Sequence, residues 1–272
     1  MRDRVTSKLL FGVVLALLVG SCSKFKKIEK NEDWRVKYEA ALNYYNKKDY
    51  YRAAILFEQI RPIVRGLPEG EKVEFYLAYC QYNERTYLLA SNQFRVFYET
   101  YRRSPLAEEA QFMYAYSLYV SSPIYSLDQQ SSIEAMDAMQ TFINQFPRSK
   151  YLDKAVNVIE DTQVKLERKG YENAKLFLKL DRYKAAILSF DNFKSSFPDS
   201  EYLEELAFLK VEAQFKFAEQ SFLSLQNERY TLVVEFYQDF VDNFPKSLFL
   251  RDAEKYYQNS IEKLNKLKTN NS

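Results

Sequence analysis

Apolar and aromatic residues along this chain recur at helical spacing and not at alternate positions, so the pattern is one of amphipathic helices. From Tyr87 the aromatics fall at plus 7, 10 and 14, as Phe94, Phe97 and Tyr101. From Tyr183 the same offsets give Phe190, Phe193 and Phe197, and from Tyr230 they give Tyr237, Phe240 and Phe244. The runs end in a shared junction. FINQFPRSKY (142–151), FKSSFPDSEY (193–202) and FVDNFPKSLF (240–249) each hold two aromatics four apart, then Pro, a Ser two further on, and a last aromatic. A worn copy runs from Phe97 through Tyr101 to Ser104, with Arg102 in place of proline. In every copy the paired rings share a helix face and serine is placed to cap the next helix, and in the three full copies proline stops the first. One helical hairpin is written several times.

Taken in order, the pattern predicts a first pair over Trp34–Arg65, with Tyr38, Ala41, Leu42 and Tyr45 on one face and a polar break at 46–49. DYYRAAIL (49–56) is nearly repeated as DRYKAAIL (181–188). Gly66–Gly70 reads as a turn, followed by helices over 73–82 and 87–101. Ser104 and Pro105 are expected to open the next helix, with proline at its first position and Glu108 and Glu109 in its first turn. The third unit carries a helix over 107–120 and a second over 133–146, separated by the long connection 121–131. Such a connection is either a tolerated insertion or a functional loop, and Tyr125, Asp128 and Gln129 are its candidate partner contacts. A fourth unit (150–197), a fifth (201–244) and a final helix over 248–267 complete the chain; the stripe Leu250, Ala253, Tyr257, Ile261 and Leu264 is expected to cap the array. The expected fold is all-α, a superhelical solenoid of about five helical hairpins plus a C-terminal helix. Its organisation is a segment 1–21, a tether 22–33, N-terminal repeats 34–147, C-terminal repeats 148–245 and a terminal helix and tail 246–272.

The first 22 residues stand apart. Arg2, Arg4 and Lys8 precede an apolar run from Leu9 to Val19, and Gly20-Ser21-Cys22 supplies small residues at a cleavage point. That run is shorter than the roughly 20 apolar residues a membrane span needs. Val19-Gly20-Ser21-Cys22 resembles the lipobox of bacterial lipoprotein signals, which implies that Cys22 becomes the acylated first residue, anchored to a membrane. The lysine-rich segment from Ser23 to Asp33 lacks apolar periodicity and is expected to be a flexible tether.

Composition narrows the functional classes. Loss of residues 1–21 takes away three of 39 basic and one of 37 acidic residues, leaving 36 against 36. A neutral chain lacks the basic stripe that a nucleic-acid partner requires. Tyr (23) and Phe (21) are abundant enough to make the core aromatic, and Cys80 lies in an apolar run as a small buried residue. With no histidine, imidazole catalysis and histidine-based metal sites are excluded. Gly66, Gly70 and Gly170 form no phosphate-cradling loop, and Glu108-Glu109, Glu160-Asp161 and Glu204-Glu205 read as solvated helix-surface acids. No enzyme activity, cofactor or metal is expected.

Ala186, Phe190 and Pro198, at 0, plus 4 and plus 12, resemble the second-helix signature of the tetratricopeptide repeat. Ala135, Met139, Phe142 and Pro147 repeat it, Ala90 and Phe94 repeat its start, and Tyr44, Ala53 and Phe57 match the first unit. With the lipoprotein signal and the terminal helix, these repeats resemble the BamD family of outer-membrane assembly lipoproteins over nearly the whole chain. The most specific features are the Phe-Pro-x-Ser-x-aromatic junctions and Leu127-Asp128-Gln129. The resemblance implies a scaffold on the inner leaflet of the outer membrane, facing the periplasm. It further implies contact with unfolded outer-membrane proteins toward the N-terminal repeats, and with the periplasmic domains of the barrel-forming subunit toward the C-terminal ones. An adaptor of the same repeat type that coordinates cell-wall enzymes or binds glycans is the alternative. Stacked first helices offer tyrosine rings and polar groups to an extended peptide, and Tyr38, Asn43, Tyr44, Tyr79 and Tyr82 are the candidate contacts; packing between repeats competes for each of them.

Overall fold

The computed structural model describes residues 24–270. Among them are twelve helices and no strand: α1 (24–29), α2 (Trp34–Asn46), α3 (Tyr50–Val64), α4 (Pro68–Asn83), α5 (Tyr87–Thr100), α6 (Ala107–Ser121), α7 (Gln130–Gln145), α8 (Leu152–Lys179), α9 (Tyr183–Ser196), α10 (Leu203–Glu219), α11 (Leu223–Asn243) and α12 (Leu250–Asn270). The signal segment and the candidate acylation site Cys22 lie outside the described residues.

The chain forms two compact units. The first runs to Pro123 and includes Leu127–Thr162; the second holds Ile124–Ser126 and everything from Gln163 on. The division falls inside α8 and not at the Pro147 junction expected from sequence. Ala155 and Val158 of α8 belong to the core of α4–α7, whereas Tyr171 and Ala174 belong to that of α9 and α10. Within each unit successive helices pack on their neighbours, α2 through α7 in the first and α9 through α12 in the second. This is the packing of a tetratricopeptide-repeat-like helical solenoid.

Two local devices generate the repeat. The first is the turn inside a hairpin. Lys48, Arg85 and Asp181 take φ of 61°, 63° and 55°, the left-handed C-terminal cap usually given to glycine. After each, the next N–H reaches back across the helix end: Asp49 to the Tyr44 carbonyl, Thr86 to Gln81 and Arg182 to Phe177, at 2.9, 3.0 and 2.9 Å. Three hairpins thus share one turn without a glycine.

The second device is the junction between hairpins. Ser104, Ser149, Ser200 and Ser247 accept through Oγ from the N–H two residues on, at 3.0, 3.0, 3.1 and 3.1 Å. Serine therefore closes a tight turn ahead of the helix, and the helix starts after it. Pro105 accordingly sits in a turn, with α6 beginning at Ala107. The paired rings meet at 5.0 Å for Phe97–Tyr101, 5.4 Å for Phe142–Phe146, 5.0 Å for Phe193–Phe197 and 5.9 Å for Phe240–Phe244. The last aromatic of the motif stacks back on the preceding first helix: Tyr151 on Phe112 at 4.5 Å, Tyr202 on Tyr171 at 4.1 Å and Phe249 on Phe208 at 5.0 Å. These last rings are half-buried, so each contributes less than the roughly 1.5–3 kcal/mol of a fully buried side chain.

Three other expectations change. The turn expected over Gly66–Gly70 is shorter, because Pro68 starts α4 with its fixed φ. Gly66 makes the turn at φ 86°, while Gly70 lies inside α4, where a Cβ would collide with the Val64 carbonyl oxygen. The tether expected through Asp33 is shorter too. Residues 24–29 are helical, and Phe25 buries its ring against Tyr44 and Arg52. Helix α11 starts seven residues before Tyr230, the position that opens α9 and α5 as Tyr183 and Tyr87. These two extra turns replace the left-handed turn and leave Phe222 and Leu223 82% and 74% exposed.

The terminal helix packs as expected. Ala253 of α12 is buried, Leu250 and Leu264 join the core of α10 and α11, and Tyr257 stacks on Tyr237 at 4.6 Å.

Candidate functional site

The five candidate peptide contacts lie in two clusters of the first unit. Tyr38 of α2 is half-buried in the core of α2–α4, and burial, followed by the charge of Glu69, raises its hydroxyl pKa. Tyr44 presents its ring edge-on to Phe25 at 5.7 Å and lies 5.8 Å from the Arg52 guanidinium, so α1 covers it. Asn43 is exposed.

Tyr79 and Tyr82 of α4 belong instead with α5–α7. The Tyr79 ring is clasped edge-on by Phe75 and Phe94 at 5.1 and 5.0 Å, and its hydroxyl donates to Glu109 of α6. Burial first, and that bond second, push its pKa well above the usual tyrosine value. Tyr82, one turn further along, contacts Tyr87 at 5.4 Å and Tyr116 at 6.3 Å, and Tyr116 leads to Tyr119 at 5.9 Å. The structure thus assembles Tyr82, Tyr116 and Tyr119 into one aromatic row, ending where the Tyr119 hydroxyl donates to Asp161 at 2.8 Å. Tyr116 and Tyr119 were missed in the sequence because they sit in an apolar helix with no polar face to mark them.

Acids read as solvated turn out to join repeats. Glu109 accepts from Tyr79 on the preceding first helix and from Tyr151 at 2.7 Å in the following junction. Glu108 accepts from Ser149 at 2.6 Å, and Glu71 accepts from Ser104. In the second unit Glu205 of α10 accepts from both the Tyr171 hydroxyl and the Lys175 ammonium of α8, each donor 2.6 Å away. Burial alone would raise the Glu205 pKa, but Lys175 and Tyr171 outweigh it and hold the carboxyl below its ordinary value. A signal existed: Glu109 and Glu205 occupy the same first-turn position, each with a tyrosine on the preceding first helix.

The long connection separates its three candidates. Tyr125 is exposed at 5.8 Å from the Arg168 guanidinium, and with Ser126 it lines a shallow pocket of about 260 Å³ beside Lys169, Glu172 and Leu176 of α8. Asp128 accepts from the Gln130 N–H at 3.0 Å and so caps α7. Gln129 is buried, donating to the Leu127 carbonyl at 3.1 Å and accepting from Ser132 at 2.8 Å. It holds the loop on α7 and is not presented to a partner.

Cys80 is buried, with its thiol pKa pushed up to about 12 by burial. Among the described residues no group of acids or thiols is arranged to hold a metal ion, and no helix is long and apolar enough to cross a membrane. What the side chains display is a set of bonds between repeats and rings at their surface, which is a chemistry of protein contact.

No curated protein matches this chain. The family described as YfiO, outer membrane lipoprotein, matches residues 30–230, from the turn after α1 through four hairpins and into α11, the second helix of the fifth. The chain therefore belongs to that family, the BamD family of outer membrane lipoproteins of the assembly machinery.

Proposed function

We propose that the protein is held by an acylated Cys22 on the periplasmic face of the outer membrane, where it joins the barrel-forming subunit to unfolded outer-membrane proteins during β-barrel insertion. The family match over residues 30–230 carries this reading. The allocation of partners follows from the two units. The row Tyr82, Tyr116 and Tyr119, with exposed Asn43 and half-buried Tyr38, offers amphipathic rings to an extended chain on the first unit. On the second unit Phe222 and Leu223 stand in solvent at the head of α11, as residues do that await a folded partner. Tyr125 and the α8 pocket beside it are a second candidate contact on the same unit.

The test is purification of the full-length lipoprotein from its own envelope in mild detergent, with Cys22→Ala as control and photo-crosslinkers at positions 82 and 222. The expected result is a barrel subunit with periplasmic domains crosslinked to position 222 and unfolded outer-membrane chains to position 82. Cell-wall enzymes in place of a barrel subunit would overturn the assembly role, and crosslinks in the reverse order would overturn the allocation.

A further inference from the structure

The repeat register places three grooves at equivalent positions, each floored by a first helix and walled by the second helices on either side. In the first unit, α4 floors one between α3 and α5, and α6 floors the next between α5 and α7. Each holds a pocket, of about 390 and 300 Å³, whose floor carries a polar side chain engaged with a neighbouring helix. Arg61 of α3 donates to Glu74 of α4 at 2.8 Å, and Gln111 of α6 donates to Gln145 of α7 at 3.0 Å.

Alignment of the first helices on Glu71, Glu108 and Glu204 sets Ala207 of α10 in register with Glu74 and Gln111. The polar side chain that stands on the floor in the first unit is absent in the second. A pocket of about 330 Å³ opens there between α9 and α11, walled by Phe190, Leu206, Phe236 and Phe240. At its mouth Asp191 and Lys210 satisfy each other at 2.6 Å. Lys194 on the α9 rim and Asp239 on the α11 rim make no ion pair among the described residues. The opening therefore has an apolar floor and one uncommitted charge of each sign on opposite walls.

We propose that this pocket is a docking site for an internal segment of a partner protein that inserts a single aromatic side chain, flanked by a carboxylate toward Lys194 and a cation toward Asp239. The volume lies at the lower end for ligand pockets, so it takes one ring and not an extended ligand or a helix. Buried aromatic anchors dominate protein contacts, and opposed rim charges fix the direction in which the segment crosses. The site stands apart from the tyrosine row and from Phe222, and it does not rest on the identity of the partners proposed above.

The experiment uses the full chain in nanodiscs and end-blocked, fluorescently labelled peptides of a Gly/Ser background carrying Glu-Trp-Lys at their centre, read by anisotropy. The Trp peptide is expected to bind saturably and at least tenfold tighter than its Trp→Ala counterpart. Ala207→Gln, which restores the side chain of the first unit's groove, is expected to weaken binding at least tenfold with an unchanged melting temperature. Lys194→Glu, a change at an exposed position that the fold does not use, is expected to weaken the Glu-Trp-Lys peptide several-fold, and a peptide with Lys in place of its Glu should recover the loss. Equal affinity for the Trp and Ala peptides would overturn the proposal. So would full binding by Ala207→Gln, or a Lys194→Glu loss that no charge change in the peptide restores.

Discussion

The two units are written in one register yet spend their polar side chains differently. In the first, acids and amides tie the structure to itself: Glu109 joins three repeats through Tyr79 and Tyr151, and Arg61–Glu74 and Gln111–Gln145 put polar pairs on the groove floors. In the second, one acid, Glu205, is shared between a tyrosine and a lysine, Ala207 leaves its groove floor apolar, and α11 lifts Phe222 and Leu223 into solvent. A repeat can thus keep its aromatic skeleton while a few polar positions decide whether its groove has a polar or an apolar floor.

The skeleton is where the units should agree. Phe142→Ala and Phe240→Ala each remove a ring that is at most 1% exposed, and each is expected to cost about 3–5 kcal/mol by denaturant unfolding. Hydrogen exchange should show protection falling first in the unit that carries the substitution. Equal loss across both units in each variant would mean that the division is not one of stability.

The acid bridges should separate them. Glu109→Ala strands two tyrosine hydroxyls and is expected to cost about 2 kcal/mol, against about 1 kcal/mol for Glu205→Ala, where Lys175 can turn to water. The comparison fails if Glu205→Ala shifts the denaturant midpoint more than Glu109→Ala.

Titration sharpens the same contrast at smaller amplitude. The Glu205 carboxyl is held below its ordinary value in the folded chain, so its contribution is complete above the unfolded pKa near 4.5 and is lost as pH falls through the lower folded value. Glu205→Gln should flatten that acid limb. Tyr119, pushed up to about 12 by burial and then by its bond to Asp161, acts in the opposite sense. Its contribution is complete below pH 10 and declines between 10 and about 12. Absorbance titration of tyrosine ionisation should show Tyr119→Phe removing a late-titrating group. The smallest effect belongs to the exposed Lys255–Asp252 pair on α12, where Lys255→Ala should leave the denaturation midpoint unchanged within error.

Second helices were legible in the sequence because their aromatics at plus 7, 10 and 14 encode both the buried face and the stop. First helices were less so. Pro68 and Gly70 looked like turn residues because loops and helix starts share proline, and because only the position of the Val64 carbonyl explains a glycine inside α4. Among the 28 residues of α8 the one glycine, Gly170, lies past the division at Thr162, so no local signal reveals a helix serving two cores. Polar residues were the hardest to place. Gln129 and Glu109 have the composition of surface residues, and their burial depends on partners 3 to 42 positions away that a local pattern does not contain. The apolar groove floor was invisible for the same reason: Ala207 is an ordinary helix residue until it is set against Glu74 and Gln111.

Short-range packing has a consequence for the order in which the protein comes into being. From α2 on, the helix contacts named within each unit join elements adjacent in sequence or successive first helices, as α2 with α4, α4 with α6, α8 with α10 and α10 with α12. Loop closure is then short at every step, and such chains fold quickly. A chain delivered N-terminus first need not wait for its far end, since each hairpin finds the surface it needs already laid down by the one before.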